Sequence, residues 1–342
     1  MACPKDDHLS FSTLDTPFLI GTVPVRNRVV LAPMSGVTDL PFRQLAWRFG
    51  AGLVVTEMVA SRELVMNAAE SWARLRSAEM TPHMVQLAGR DAYWMGEAAK
   101  IAADNGADII DINMGCPAKK VIGGYSGSAL MRDPDLALSL IEATVKAVSV
   151  PVTLKMRLGW DDNSINAPDI ARRAEQAGIQ LVTIHGRTRM QFYQGKADWD
   201  AIHAVRDVIS IPLVANGDVD TPEDAAEILR RSGADVVMTG RACQGRPWHA
   251  GWLAGHAAPQ RQEIGAIACE HYVSMLDFYG DMVGIRHARK HLGWYLERFA
   301  PGLPSTDKAE IMTSKDPAIV AALLRQALDE PSFAVAPLRE AA

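Results

Sequence analysis

The sequence predicts a (β/α)8 TIM barrel followed by a small all-helical C-terminal domain. Eight short apolar runs alternate with amphipathic segments over about 240 residues, the size and repeat number of such a barrel. The runs are apolar throughout, as are strands of a parallel sheet that is buried on both faces. After about residue 254 these runs stop, and only helical patterns remain.

The predicted strands share a richness in Val, Ile and Leu. They lie at 28–34, 52–59, 83–89, 108–114, 150–157, 179–186, 211–217 and 234–240. Helical patterns separate them, among others over 91–107, 135–148, 167–178 and 221–234. A doubly wound open sheet is the competing architecture. Crossovers of even length favour closure, and no G-x-G-x-x-G pattern follows the first strand, which leaves a dinucleotide-binding sheet unsupported.

The chain is therefore expected to divide into three parts. Residues 1–253 would form the barrel, 254–330 the helical domain and 331–342 a flexible tail. The helical domain is predicted from the amphipathic stretches 266–282, 286–299 and 317–328, with a break at the Pro-Gly-Leu-Pro sequence that precedes the last of them.

Composition is typical of a cytoplasmic globular enzyme. Of 342 residues, 48% are hydrophobic and 22% charged, and the net charge of −5 does not itself indicate a nucleic-acid partner. No apolar run reaches the roughly 20 residues of a membrane span, and the N-terminus does not resemble a secretory signal. Cys3, Cys116, Cys243 and Cys269 lack metal-binding spacing, so we expect reduced thiols and no metal site.

Polar or small residues follow nearly every predicted strand. Ligands of such barrels bind at the carboxyl ends of the strands, so these residues are expected to meet at one site. Each residue alone has a structural explanation, but their convergence indicates an active site. The residues are Pro33, Met34, Ser35, Gly36, Gln86, Asn113, Cys116, Lys155, Arg157, His185, Gly186, Arg187, Asn216, Gly217, Asp218, Gly240 and Arg241.

The last two strand ends predict a phosphate site. The sequences Asn-Gly-Asp (216–218) and Thr-Gly-Arg (239–241) offer backbone amides, and Arg241 suits phosphate oxygens. Two ordinary glycine turns are the alternative explanation. A phosphate held there, with Lys155 across the site, suits flavin mononucleotide (FMN), because a nearby cation stabilises the anionic reduced flavin.

Cys116 follows a strand directly and precedes Pro117 and a glycine-rich loop. No base in that loop would activate it as a nucleophile, although His185 is a possible partner in space. An ordinary thiol, with a pKa of about 8.5, is protonated at neutral pH and can act as an acid. A buried, inert cysteine is the alternative. The position of Cys116 on a turn favours a role as an acid. The thiol would donate a proton to a carbon–carbon double bond while a reduced flavin reduces that bond.

These residues carry a resemblance to a known family. The matching segments are APMSGVTD (32–39), TEMV (56–59), VQLAGR (85–90), DINMGCPAKKV (111–121), LKMRLGW (154–160), TIHGRTR (183–189), VANGDV (214–219), VMTGRA (237–242) and RKHLGWYLERFAPG (289–302). Over nearly its whole length the chain resembles the tRNA-dihydrouridine synthases, most closely the bacterial B type. The resemblance implies FMN in the barrel, NADPH as reductant and a uridine of tRNA as substrate.

The resemblance also implies residue roles. Cys116 would protonate carbon 5 of uracil while the flavin delivers hydride to carbon 6. The flavin ring would contact Pro33, Met34, Ser35, Gln86 and Lys155, and its phosphate end would contact His185, Asn216, Gly217, Asp218, Gly240 and Arg241. Asn113 and Arg187 would face the uracil, and loop 118–130 would be a mobile cover. Ser35 and Ser128 stand where the family pattern has alanine.

A tRNA substrate requires a surface for RNA outside the barrel. A uracil within folded RNA must leave its stack to reach a flavin at the bottom of the site. We expect phosphate contacts from Lys119, Lys120 and Arg189 on the barrel and from Arg286, Arg289 and Lys290 on the helical domain. A solvated helix face is the alternative for the last three. The protein is expected to act as a monomer.

Two other functions stay open at this point. Another FMN barrel reductase, such as a dihydroorotate dehydrogenase, has a similar cysteine loop and acts on a free pyrimidine. The helical domain argues against it, since a small substrate has no need of that domain. A non-catalytic RNA-binding protein is the second alternative, and joint retention of Cys116, Lys155 and His185 argues against it.

Overall fold

The computed structural model describes residues 14–334. Cys3, residues 335–342 of the predicted tail and the side chain of Lys120 lie outside this description. Residues 331–334 form a short 3-10 helix at the end of the described chain.

The chain first forms a small antiparallel hairpin of β1 (Phe18–Ile20) and β2 (Val23–Val25). Phe18, Ile20 and Val25 are buried against side chains inside the barrel, among them Val30 and Val236 near the amino ends of their strands. The hairpin therefore closes the end of the barrel opposite the predicted site. It was not predicted from the sequence.

Nine parallel strand segments follow in one sheet, and they occupy eight positions around the barrel. The segments are β3 (Val29–Leu31), β4 (Leu53–Val54), β5 (Val59–Ala60), β6 (Met84–Ala88), β7 (Ile109–Met114), β8 (Val152–Arg157), β9 (Val182–His185), β10 (Leu213–Asn216) and β11 (Val236–Thr239). Their order is β4-β3-β11-β10-β9-β8-β7-β6-β5.

The second barrel strand is split into β4 and β5, and this strand closes the barrel. β4 pairs with β3, β5 pairs with β6, and Val55 bridges Met84 between them. At the split, the Thr56 hydroxyl accepts a hydrogen bond from the Gln86 amide at 3.0 Å. All eight predicted strands are present, and the predicted barrel is confirmed.

Helices cover the outside of the barrel, and those predicted over 91–107, 135–148, 167–178 and 221–234 are all among them. They are α1 (Leu40–Arg48), α2 (Ser61–Val65), α3 (Ala69–Leu75), α4 (Ala92–Asp104), α5 (Lys119–Ile122), α6 (Pro134–Ala147), α7 (Ala167–Gln176), α8 (Asp200–Arg206), α9 (Pro222–Ser232) and α10 (His249–Leu253). Side-chain caps define several starts. Asp39 accepts from the Phe42 amide of α1, and Thr221 forms a reciprocal capping box with Asp224 at α9.

Four helices form the C-terminal part, which has its own apolar core. They are α11 (Ile264–Tyr279), α12 (Asp281–Phe299), α13 (Ser305–Thr313) and α14 (Pro317–Asp329). Tyr272, Leu292 and Leu324 are among its fully buried residues. The predicted break lies between α12 and α13, and α13 itself was not predicted. None of the helices within residues 14–334 is long and apolar enough to cross a membrane.

The C-terminal helices pack on α1, beside the carboxyl ends of the first two barrel strands. Phe42 of α1 lies with its ring 5.6 Å from the rings of His271 and of His291. Arg48 and Glu270 form an ion pair at 2.5 Å. The Tyr279 hydroxyl donates to Asp39 at 3.1 Å. These contacts hold α11 and the middle of α12 against α1, next to the end of the first barrel strand.

Candidate active site

A chain of buried polar groups runs across β6, β7 and β8, from Thr153 near the start of β8 to Asn113 near the carboxyl end of β7. The amide of Asn113 donates to Gln86 Oε1 at 2.8 Å, and Gln86 Nε2 donates to Asp111 Oδ2 at 2.7 Å. Thr153 donates to the other Asp111 oxygen at 2.6 Å. Burial raises the pKa of Asp111, while the bonds from Gln86 and Thr153 oppose that rise. This network fixes the amide groups of Gln86 and Asn113 in one orientation.

Lys155, on β8, lies beside this network and is almost fully buried. Its one hydrogen bond within the described chain is to Asn216 Oδ1 at 3.3 Å, although an ammonium has three donors. Burial and the neighbouring Arg157 lower the pKa of Lys155 to about 8, and Asp111 and Cys116 oppose that shift. Lys155 thus has donor capacity left for a ligand at the carboxyl ends of the strands.

Positive charge is concentrated at this end of the barrel, which we call the mouth. His185 shows this most clearly, because its pKa is held well below the ordinary value. Burial is the largest cause, followed by the charges of Arg157, Lys155, Arg187 and Arg241. The imidazole is therefore neutral at physiological pH. A mouth with four cations near one neutral histidine suits an anionic ligand.

The arginines that follow β9 and β11 share one carboxylate, which follows β10. Arg187 Nη1 and Nη2 donate to Asp218 at 3.0 and 2.5 Å, and Arg241 Nη2 donates to the same group at 3.0 Å. Arg187 also donates to the carbonyls of Gln194 and Gly195. Burial alone would raise the pKa of Asp218, but the bonds from Arg187 and the Ala197 amide keep it below its ordinary value.

This geometry shows which partners Arg187 and Asp218 have in the folded chain. Arg187 is only 1% exposed, and its donors are directed at Asp218, at two carbonyls and, at 3.4 Å, at the His185 ring. Asp218 in turn directs its carboxylate at Arg187 and Arg241. Among residues 14–334, the backbone amides of Asp218 and Arg241 have no acceptor. At this end the amides and the guanidinium of Arg241, rather than the Asp218 carboxylate, suit a phosphate.

Two glycines allow the backbone to approach a ligand at the last strand ends. Gly217 has a φ of +129°, and a Cβ there would lie 2.7 Å from the Ala197 Cβ and 3.1 Å from the His185 ring. A Cβ on Gly240 would touch Met34 Sδ at 3.5 Å, which shows that the first and last strand ends adjoin. Only glycine fits at 217 without displacing His185.

The turn after β3 is held by hydrogen bonds to Glu57, which lies between β4 and β5, and to Thr38. The Gly36 amide donates to Glu57 Oε1 at 2.5 Å, and the Met34 amide donates to the Thr38 hydroxyl at 2.9 Å. These bonds hold Pro33, Met34 and Ser35 in a turn at the rim. Glu57 was not singled out in the sequence. The sequence did offer one signal for Glu57, because an acidic residue is unusual within an apolar run such as 52–59.

Cys116 lies at the rim of the mouth and is half-buried. Its amide donates to Asn113 Oδ1 at 3.0 Å, and its carbonyl accepts from the Ser128 amide and hydroxyl at 3.0 and 2.9 Å. Burial raises the pKa of the Cys116 thiol, while Arg157 and Lys155 oppose the rise. The thiol is therefore protonated at neutral pH, and the nearby cations would stabilise its conjugate base.

The segment 118–130 folds over Cys116. It contains α5 and the first residues of a 3-10 helix at Gly127–Arg132. Gly127 has a φ of +60°, and a Cβ there would lie 2.8 Å from the Cys116 carbonyl oxygen. Arg157 Nε donates to the Gly115 carbonyl at 2.8 Å and so fixes the turn that precedes the cysteine.

The cations proposed for RNA contacts differ in exposure. Lys119 and Arg286 are exposed, whereas Arg289 donates to the Thr313 carbonyl at 3.2 Å and is half-buried. Lys290 is directed inward, since its Nζ lies 3.0 Å from the position of a Cβ on Gly36. Burial lowers the pKa of Lys290 and the charges of Asp39 and Glu57 oppose that shift. Lys290 thus contacts the rim instead of standing free in solvent.

Tyr193 and Arg157 are further residues at the mouth. The Tyr193 ring centroid lies 5.6 Å from the guanidinium carbon of Arg157, 5.1 Å from that of Arg241 and 6.5 Å from the His185 ring. Sequence reasoning missed Tyr193 because it follows β9 by eight residues and lies outside any strand end. Within residues 14–334, no group of three or more His, Cys, Asp or Glu side chains is arranged for a metal ion.

Comparison with known proteins identifies relatives along most of the chain. Residues 30–330 match the family model described as Dihydrouridine synthase (Dus). A protein of Rhizobium leguminosarum bv. phaseoli called a probable tRNA-dihydrouridine synthase is 80% identical over 305 residues, which cover 89% of this chain and 96% of that protein. A tRNA-dihydrouridine synthase B of Pseudomonas putida is 49% identical and covers 81% of this chain and 85% of its own.

Solved structures are similar in fold. Histamine dehydrogenase from Rhizobium sp. 4-9 shares 15% identity with a TM-score of 0.56, over 82% of this chain and 51% of its own. A 2-naphthoyl-CoA reductase shares 13% identity with a TM-score of 0.55, over 70% of this chain and 51% of its own. This chain thus spans about half the length of each, and the likeness concerns the fold alone.

The predicted resemblance is therefore confirmed by the family model and by the close relatives. The chain belongs to the dihydrouridine synthase family.

Proposed function

We propose that this protein is a tRNA-dihydrouridine synthase that binds FMN, takes electrons from NADPH and reduces uridines of tRNA to 5,6-dihydrouridine. The observation that carries the proposal is Cys116, a protonated thiol held at the rim of a cation-lined barrel mouth. Family membership and the names of the close relatives support the reaction and the RNA substrate.

The mouth suits FMN in charge and in donors. The free amides of Asp218 and Arg241, together with Arg241 itself, would take the phosphate, and the spare donors of Lys155 would take the flavin ring. Glycine at 217 leaves room for close approach of the backbone. The proposed set of FMN-binding residues is Pro33, Met34, Ser35, Gln86, Lys155, His185, Asn216, Gly217, Asp218, Gly240 and Arg241.

Bound FMN would supply the hydride that adds to carbon 6 of the uracil. The Cys116 thiol would give its proton to carbon 5, so the C5–C6 double bond gains one hydride and one proton. Arg157 and Lys155 lower the energy of the resulting thiolate, because both are positively charged neighbours. Solvent would then return a proton to Cys116, and NADPH would supply the two electrons for the next turnover.

Two residues would act on the position of the uracil. The Asn113 amide is fixed by Gln86 and by the Cys116 amide, so it would hold the cysteine turn and offer its edge to the base. Arg187 would fix Asp218 at the phosphate end through its two hydrogen bonds, and its expected place facing the uracil stays a prediction. The segment 118–130 would cover the base once it enters.

The tRNA would lie across the mouth and the C-terminal helices. We propose residues 1–253 as the FMN-binding domain and 254–330 as a helical tRNA-binding domain, with 331–342 as a tail. A base that leaves its stack costs a few kcal/mol, which contacts to the flavin and to phosphates repay. Lys119, Lys120, Arg189 and Arg286 are the proposed cations, while Arg289 and Lys290 would need to turn outward. The cytoplasmic location and monomeric state stay predictions.

The test is mass spectrometry of unmodified tRNA after incubation with the protein, FMN and NADPH. We expect one or more uridines to gain two hydrogens, and fragment masses then locate them. A yellow protein that oxidises NADPH yet leaves the tRNA unchanged would refute the RNA substrate and favour a free pyrimidine. A protein that binds no flavin would refute the whole proposal.

A further inference from the structure

Three side chains from adjacent loops meet beside the cysteine loop, and we call them the Arg–Trp–Arg cluster. Arg132 ends the 3-10 helix after β7, Trp160 follows β8, and Arg189 follows β9. The guanidinium carbons of Arg132 and Arg189 lie 4.9 and 5.0 Å from the Trp160 ring centroid. The Arg189 and Met190 amides donate to the carbonyls of Gly159 and Trp160 at 2.9 Å, which joins the two loops.

The two guanidiniums lack a countercharge. Among the described residues, neither Arg132 nor Arg189 forms an ion pair with a carboxylate. Arg132 is exposed, and Arg189 keeps a buried Nε without a partner. Of the carboxylates nearest in sequence, Asp133 caps α6 and Asp161 accepts from Ser164 and the Asn163 amide, while Asp162 is exposed and forms no ion pair with either arginine. Two like charges over one indole are an arrangement that an anion would stabilise.

The cluster also contacts the loop that carries Cys116. Arg189 Nη2 lies 3.5 Å from the carbonyl of Pro117, the residue after Cys116. Arg132 ends the 3-10 helix whose Gly127 and Ser128 contact Cys116. A ligand on the cluster would therefore lie next to the turn that presents the thiol.

We infer that the Arg–Trp–Arg cluster binds the phosphate backbone of the tRNA strand that flanks the target uridine, an inference that rests on the proposed function. A guanidinium stacked on an aromatic ring is pre-organised and keeps its N–H edge for phosphate oxygens. Unstacked RNA is held by such arginine planes and by phosphate contacts. Trp160 and Arg132 thereby gain a role in substrate binding that places the backbone beside Cys116.

Arg132→Ala tests this inference, with Lys146→Ala as the matched control. Lys146 is an exposed cation in the last turn of α6, and it has no ion pair in the described chain. Affinity for unmodified tRNA is measured by fluorescence anisotropy at several salt concentrations. Oxidation of NADPH without RNA is measured in parallel.

For Arg132→Ala we expect a tRNA Kd roughly tenfold higher, because a charged hydrogen bond is lost. We also expect the plot of log affinity against log salt concentration to become less steep, with the magnitude of its negative slope smaller by about one. Arg132→Lys should keep the slope but bind more weakly than the wild type, since lysine loses the stacked plane. Lys146→Ala and the NADPH oxidation of every variant should match the wild type.

A wild-type Kd and salt slope for Arg132→Ala would overturn the inference, as would an equal loss for Lys146→Ala. Trp160→Leu is a second test of the inference. This variant should bind tRNA more weakly and oxidise NADPH at the wild-type rate. These outcomes are distinct from failure of the proposed function, in which the wild-type protein itself forms no dihydrouridine.

Discussion

Removal of the Asp218 carboxylate should release the flavin and destabilise the barrel. In Asp218→Ala, the guanidinium of Arg187 loses two hydrogen bonds, at 3.0 and 2.5 Å, and keeps only neutral partners, namely the carbonyls of Gln194 and Gly195 and a 3.4 Å contact with the His185 ring. Arg187 is 1% exposed, so its charge cannot turn to water. Arg241 loses its partner as well, but it is half-exposed and can be solvated.

The size of the stability loss follows from the burial of Arg187. Breaking a fully buried ion pair costs about 3–5 kcal/mol, because one charge stays buried without a partner. Asp218 is 29% exposed, so solvent screens part of the interaction, and about 3 kcal/mol is the expected loss. For a chain of this size, that loss corresponds to a Tm roughly 5 °C lower.

The assay is thermal unfolding together with the fraction of flavin retained after gel filtration. Asp200→Ala is the control, because it removes a carboxylate from another short ion pair, Arg231–Asp200 at 2.5 Å, in which Asp200 is 68% exposed. The control should unfold at nearly the wild-type temperature and keep its flavin, because solvent screens an exposed ion pair. If Asp218→Ala matched the control in both measurements, the argument from the buried Arg187 charge would be wrong.

Two more predictions concern buried histidines and Gly217. Burial lowers the pKa of His271 to about 3 and that of His83 to about 4, whereas the unfolded chain has histidine pKa values of about 6.5. The unfolded state therefore binds more protons below pH 6.5, and each histidine should remove up to about 2 kcal/mol of stability between pH 7 and 5. Denaturant titrations of wild type and His271→Leu check this, and an equal pH slope in both would contradict it. Gly217→Ala should lower flavin affinity, because its Cβ would lie 2.7 Å from Ala197 at a φ of +129°. A flavin titration with unchanged Kd would refute that expectation.

The barrel was predictable because its strands are buried on both faces and therefore read as continuous apolar runs. The hairpin β1–β2 was not, since FLI and VPV are only three residues each and the second contains a proline. Helix α13 was missed for a related reason. It buries Ile311 alone, so its sequence carries almost no amphipathic pattern.

At the site, position along a strand predicted which residues would meet, but not where their side chains would be directed. Arg187 is turned by Asp218, which is 31 residues away in sequence. Lys290 is drawn to the rim near Gly36, on a different part of the fold. Side-chain direction in both cases depends on a charged or packing partner that only the folded chain brings close.

The most direct test of the central claim compares wild type and Cys116→Ala in a single turnover. Each protein is reduced by NADPH without oxygen and mixed with unmodified tRNA, and flavin reoxidation and dihydrouridine formation are followed together. Both proteins should be reduced at the same rate, and the variant should form dihydrouridine at least about a hundredfold more slowly, because the proton donor is gone. Product formation at the wild-type rate by Cys116→Ala would contradict the assignment of Cys116 as the acid.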